Sequence, residues 1–169
     1  ERSVTRWGPE PLADGGTRFH LWAPDAEGVT LEIDGADAAA MTRGADGWFA
    51  LDHAAGPGTR YRFRVGEQLV PDPASRLQSG GVHGWSVVPE TRYDWRHPDW
   101  RGRAWHEMVI LECHSGTLGG FAGVIERLPA IAAAGITAIE LMPVGAFGGT
   151  RGWGYDGVLP YAVQEEYGS

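Results

Sequence analysis

Between Thr17 and about Val70 the chain alternates apolar and polar side chains in short runs. Phe19, Leu21 and Ala23 alternate with Arg18, His20 and Trp22, while Val29, Leu31 and Ile33 alternate with Thr30 and Glu32. A period of two puts every second side chain on one face, so each run predicts a strand with one buried side. Asp46-Gly47 leads into Trp48-Phe49-Ala50-Leu51, and Gly58 leads into a run with apolar positions Tyr61, Phe63 and Val65. Short strands separated by Gly, Asp and Pro predict a β-sandwich of immunoglobulin-like type over residues 1–90.

From Pro71 to about Arg103 the chain is rich in Pro and Gly, keeps no sustained period, and carries Trp85, Trp95 and Trp100. We place an aromatic linker at 91–105 and expect its indoles to pack across a domain interface, because indole surface is costly to leave in water. After Trp105 the rhythm changes. Met108-Val109-Ile110-Leu111 is a continuous apolar run, which predicts a strand of a parallel sheet buried on both faces. Phe121, Val124, Ile125, Leu128 and Ile131 then recur at helical spacing, and Gly135 stands where a helix ends. Pro129 predicts a kink in that helix. A second apolar run from Ile136 to Met142 completes a strand–helix–strand unit with parallel strands, and residues 106–169 form a second region.

Composition narrows the partners. The 169 residues carry a net charge of -8, which disfavours nucleic acid and anionic membrane, since both require clustered cations. All fourteen basic residues are Arg, and Lys and Asn are absent, a bias of GC-rich bacterial coding sequence. Cys113 is the single cysteine, so an internal disulfide and a Cys-based metal site are excluded. No metal or cofactor is expected. The apolar runs are shorter than a membrane span, and no charged-then-apolar leader begins the chain, so the expectation is a soluble cytoplasmic protein.

Several motifs, in order, carry a resemblance. They are Trp7-Gly8-Pro9-Glu10, Phe19-His20-Leu21-Trp22-Ala23-Pro24, Pro71-Asp72-Pro73-Ala74-Ser75-Arg76 and Val82-His83-Gly84, then Ile110-Leu111-Glu112-Cys113-His114-Ser115-Gly116-Thr117 and Gly135-Ile136-Thr137-Ala138-Ile139-Glu140-Leu141-Met142-Pro143-Val144. Last comes Gly152-Trp153-Gly154-Tyr155-Asp156-Gly157 with Leu159-Pro160-Tyr161. Together they resemble the α-amylase-type glycosidases, and among these the malto-oligosyltrehalose trehalohydrolase family. Glycogen branching enzymes share the sandwich and a similar second strand, but their loop after that strand differs from the Tyr155-Asp156-Gly157 run. Cys113, Ser115 and Leu118 depart from the family's larger side chains, and the turn 117–121 is shorter than usual.

The resemblance implies an isoamylase-type sandwich followed by the first unit of a (β/α)₈ barrel. It also implies retaining hydrolysis of the α-1,4 bond next to the trehalose end of malto-oligosyltrehalose, releasing trehalose. That chemistry needs two carboxyl groups about 5 Å apart across the scissile bond, set by neighbouring strands at the C-terminal face of a barrel. The family's nucleophile Asp, acid/base Glu and second Asp lie on later strands, and no residue here matches them, so no catalytic residue is assigned and the chain alone is expected to be inactive. The residues implied to meet an α-glucan or malto-oligosyltrehalose are Tyr155, Asp156, Trp153 and His114: Tyr155 by stacking on a sugar ring, Asp156 by bonding its hydroxyls.

Plain alternatives stand beside each assignment. Tyr155 can be ordinary packing next to Trp153, Asp156 a turn residue ahead of Gly157, and His114 a hydrogen-bonded packing residue. Cys113 and His114 are adjacent on a strand and point to opposite faces, which rules against a nucleophilic pair. Glu112 and Glu140 interrupt apolar runs and are expected to be paired, and Glu165-Glu166 reads as a solvated face. Three readings follow. The chain is a segment of a trehalohydrolase-like glycosidase (or of a branching or debranching enzyme) that works with the remainder of its barrel, a non-catalytic α-glucan-binding module, or a packing remnant.

Overall fold

A computed structural model describes residues 7–168. The outermost residues of the two regions drawn from sequence, 1–6 and 169, lie outside the described residues. Ten strands precede residue 90: β1 (Glu10–Pro11), β2 (Thr17–Trp22), β3 (Val29–Ile33), β4 (Ala39–Ala40), β5 (Thr42–Arg43), β6 (Trp48–His53), β7 (Arg60–Val65), β8 (Gln68–Val70), β9 (Gln78–Ser79) and β10 (Trp85–Val87). They form two antiparallel sheets, one in the order β1-β2-β6-β5 and one in the order β4-β3-β7-β10-β9, with β8 paired to β7. The alternation decides which side chains meet. Phe19, Leu21 and Phe49 from the first sheet share a core with Val29, Leu31, Ile33, Tyr61 and Phe63 from the second. The intervening residues Arg18, Glu32, Arg62 and Arg64 face outward and pair, Arg18 with Asp52, and Arg62 and Arg64 both with Glu32.

The Pro- and Gly-rich stretch after Pro71 divides in two. Its first half belongs to the second sheet through β9 and β10, and it buries polar groups that satisfy one another. Tyr61 donates its hydroxyl hydrogen to Asp72 Oδ2 at 2.6 Å, Ala74 N–H donates to Asp72 Oδ1 at 2.8 Å, and Asp72 N–H donates to Ser86 Oγ at 2.9 Å. Low periodicity here reflects a buried polar loop rather than a mobile one, since such groups are tolerated inside only when paired. Beyond residue 90 the chain is irregular, and the indoles expected to pack across a domain interface stand in solvent: Trp95, Trp100 and Trp105 are all exposed, Trp105 at 78%. Tyr93 and Trp95 instead stack edge to face on each other, which covers some of their surface without any second layer.

The second region contains β11 (Ile110–Cys113), α1 (Gly120–Ala133) and β12 (Ala138–Leu141). The two strands pair in parallel, Ile110 with Ala138 through Cys113 with Leu141, so the strand–helix–strand reading holds. Their burial does not. Ile110 is 44% exposed and Leu111 and Leu141 are each 38% exposed, because a two-stranded sheet with one helix has too few neighbours to cover both faces. The helix runs through Pro129 and buries Gly120, Gly123 and Val124, leaving Ile125 exposed. Glu112 and Glu140 are register partners, both exposed, and neither has an ion-pair partner among the described residues, contrary to the expected pairing.

An antiparallel hairpin follows, β13 (Gly145–Phe147) with β14 (Gly157–Val163), where sequence had read a loop up to Tyr161. Val82 from the N-terminal region packs with Ala146, Leu159 and Ala162 of this hairpin, giving the two regions a small shared apolar cluster. No helix among the described residues is long and apolar enough to cross a membrane.

Candidate functional site

His114 follows the last residue of β11, at the C-terminal end of the parallel pair. Thr117 N–H donates to His114 Nδ1 at 3.1 Å. A backbone amide can only donate, so Nδ1 is the acceptor and the ring proton sits on Nε2. That Nε2–H lies 2.8 Å from the Gly152 carbonyl and 3.1 Å from the Tyr167 hydroxyl, so the ring is held at both nitrogens. Tyr167 is buried, its ring edge-on to those of His114, Phe121 and Phe147, and burial pushes its phenol above the ordinary pKa. The bonded-packing alternative for His114 is therefore real: the imidazole is a strut. It is also half-exposed, so the same strut forms part of a wall.

That wall borders an open cavity of about 920 Å³, lined among others by His114, Thr117, Arg151, Trp153, Glu166 and Tyr167. Trp153 stands edge-on to His114 with ring centroids 6.2 Å apart and is 70% exposed, so an indole face is available to a ligand. Gly154 makes this presentation feasible. Its backbone is left-handed at φ +87, and a Cβ there would come within 2.2 Å of the Pro143 carbonyl oxygen, so the loop presses on the end of β12 and turns outward again at once. The chain thereby exposes the two aromatics flanking Gly154.

The four residues assigned from sequence divide into two groups. His114 and Trp153 meet in the cavity. Tyr155 and Asp156 do not line it; Tyr155 is 72% exposed and Asp156 is exposed beside it at the start of β14. Arg151, Glu166 and Tyr167 escaped the sequence reading. Tyr167 reaches His114 across 53 residues of chain, and no local period marks such a partner. Glu165 and Glu166 are solvent-exposed as expected, yet each has a specific place: Glu166 lines the cavity, and the Glu165 carboxylate accepts the Gly80 and Gly81 amides, each at 3.0 Å to Oε2.

Chemically the cavity offers one indole face, an imidazole and a phenol already bonded to each other, one cation and one carboxylate. A pyranose presents an apolar C–H face and a rim of hydroxyls, which suits an aromatic face edged with polar groups. Glu166 is the one carboxylate among the residues that line this cavity, whereas retaining glycoside hydrolysis uses two. No group of three or more His, Cys, Asp or Glu placed to hold a metal occurs among the described residues.

No family model matches the chain. A malto-oligosyltrehalose trehalohydrolase from Deinococcus radiodurans is 41% identical over 169 residues, covering 97% of this chain and 28% of that protein. A 1,4-alpha-glucan branching enzyme from Streptomyces coelicolor is 32% identical over 186 residues, covering 96% of this chain and 25% of that protein. Among solved structures, an α-amylase-type protein from Salmonella typhimurium superposes with a TM-score of 0.92 at 45% identity, covering 96% of this chain and 29% of that one. Pullulanase from Anoxybacillus sp. LM18-11, solved with maltotetraose, superposes with a TM-score of 0.76 at 21% identity, covering 95% of this chain and 29% of that one, which speaks for the fold alone. The chain thus spans less than a third of the length of the proteins it matches.

Proposed function

From a chain that is by sequence an N-terminal segment of the malto-oligosyltrehalose trehalohydrolase family, we propose that the cavity at His114 and Trp153 is part of the sugar-facing wall of an α-glucan glycosidase. The two antiparallel sheets are a sandwich of the isoamylase type over 1–90, the stretch 91–105 is a linker, and 106–169 opens a (β/α)₈ barrel. The reaction is hydrolysis of the α-1,4 bond beside the trehalose end of malto-oligosyltrehalose, with the nucleophile and proton donor on strands outside this segment. The observation that carries this reading is the Trp153–His114–Tyr167 constellation at the C-terminal end of a parallel strand pair, where barrel enzymes hold their substrates. Tyr155 and Asp156, exposed just beyond Trp153, extend the same wall toward the sugar.

Titration of the chain with maltosyltrehalose tests the proposal. Binding is expected to weaken by about ten-fold or more on Trp153→Ala, the scale of one lost aromatic contact of about 1.4 kcal/mol. No trehalose is released, because binding alone supplies neither nucleophile nor acid. Binding that survives Trp153→Ala unchanged, or trehalose release by the purified chain, overturns it.

A second reading, a glycan-binding module in the N-terminal sheets, has one observation in its favour. Trp22 and Trp48 are register partners on the outer face of the first sheet, Trp7 stands edge-on to Trp48 at 4.8 Å, and Trp7 and Trp22 are about half exposed. If Trp22→Ala abolishes maltoheptaose binding while Trp153→Ala does not, this second surface is the one that binds.

A further inference from the structure

Among the described residues, two contacts of different kinds join the turn between β9 and β10 to the β13–β14 hairpin and the short turn that follows it. The apolar cluster of Val82 with Ala146, Leu159 and Ala162 supplies adhesion, which is non-directional. The Glu165 carboxylate on the Gly80 and Gly81 amides supplies direction, because two N–H groups converge on one oxygen. Gly80 and Gly81 are both left-handed, at φ +84 and +75, and that succession turns their amides to the same side.

The amide pair is anchored from behind. Gln78 Nε2 donates to the Gly81 carbonyl at 3.1 Å, Ser86 Oγ donates to Gln78 Oε1 at 2.8 Å, and Asp72 N–H donates to Ser86 Oγ at 2.9 Å. Asp72 is bonded in turn to Tyr61 in the core, and Tyr61, Asp72, Gln78 and Ser86 are all buried. On the far side Glu165 opens a single 3₁₀ turn, Glu165–Tyr167. The next residue, Glu166, lines the cavity, and the one after it carries the hydroxyl that meets His114 Nε2 at 3.1 Å.

We infer that Glu165 is a positioning residue: seated on the Gly80 and Gly81 amides, it sets the turn that presents Glu166 to the cavity and holds Tyr167 against His114. The N-terminal sheets thereby act on the wall through one carboxylate. Only the sugar-binding part of the test rests on the function proposed above.

The test uses the whole chain labelled with ¹⁵N, with the His114 imidazole assigned from His114→Gln. In the parent protein His114 shows the Nε2–H tautomer. In Glu165→Ala the Gly80 and Gly81 amides exchange about ten-fold faster or more, the scale expected for losing a charge-assisted hydrogen bond. The His114 resonances move toward those of an exposed, averaging imidazole, while the Phe19 and Phe63 amides keep their protection. Glu165→Gln, which retains an acceptor oxygen, lies between. Val82→Ala, which weakens adhesion without touching the carboxylate, lowers stability but leaves the His114 spectrum in place. An unchanged His114 spectrum in Glu165→Ala, unchanged Gly80 and Gly81 exchange, or the same His114 shift in Val82→Ala each overturns the inference. Maltosyltrehalose binding should weaken in Glu165→Ala along with the His114 change. If the parent chain binds no sugar, the functional reading fails while the imidazole readout still decides the role of Glu165.

Discussion

Asp72 is a carboxyl group in surroundings that disfavour its charge. Burial pushes its pKa up to about 6, against the opposing pull of the Tyr61 hydroxyl and the Ala74 amide. The unfolded chain releases that proton near 3.8, so between the two values the folded state binds more protons, and the contribution of Asp72 to stability is lost as pH rises through this window. The difference between 3.8 and about 6 corresponds to about 3 kcal/mol as an upper scale. Asp72→Asn keeps an acceptor for Ala74 and a polar partner for Tyr61 without the charge. Its stability relative to the parent should therefore climb from pH 4 to pH 6 and level off above, as read by urea denaturation at each pH; a difference independent of pH would contradict this. Sequence showed half of this pair. Tyr61 was legible as an inward position of an alternating strand, but Asp72 lies in a stretch without period, and a hydrogen bond leaves no periodic trace. His114 is similar: its place at a strand end was legible, its partner Tyr167 was not.

At the level of elements, periodicity identified strand, helix and strand correctly because it reports a backbone's own repeat. It misjudged burial in β11 and β12 because burial depends on neighbours that the repeat does not name. It also missed the β13–β14 hairpin, whose strands begin at Gly145 and Gly157 and carry Pro160 inside the second, residues usually read as loop. A two-stranded ribbon tolerates Pro160 because one side of each strand needs no partner. Two consequences can be measured. Pro129 sits exposed inside α1 and forfeits a backbone donor, so Pro129→Ala should stabilise the second region by about 1–3 kcal/mol, seen as slower amide exchange along the helix. Glu112 and Glu140 stand side by side in β11 and β12 with like charge and, among the described residues, no ion-pair partner. Glu140→Gln should therefore gain about 0.2–1 kcal/mol in urea denaturation at low salt, and the gain should shrink as salt screens the repulsion. A gain that persists undiminished in high salt would mean that packing, not repulsion, limits this pair.

Across the whole molecule the two regions differ in how far they satisfy themselves. The N-terminal sheets close over a shared core of Phe19, Phe49, Tyr61 and Phe63, each at most 1% exposed. The second region is open. Its parallel pair has two free edges among the described residues, Val109, Ile110, Leu111 and Leu141 are all exposed, and Trp95, Trp100 and Trp105 stand in solvent. Free strand edges beside apolar side chains form a template for further pairing, and water penalises the exposed surface at about 25 cal/mol per Å². The 169-residue chain in isolation should therefore self-associate at micromolar concentration through this region, and amides after Trp105 should exchange faster than those of the N-terminal sheets. Light scattering coupled to size-exclusion chromatography reads the first expectation, and hydrogen exchange reads the second. Replacing Ile110 and Leu111 by Thr keeps β-forming side chains while cutting apolar area, so association should fall while the N-terminal sheets unfold at the same denaturant concentration. A parent chain that elutes as a clean monomer, with equal protection in both regions, would show that the open strands are covered by contacts within the chain itself.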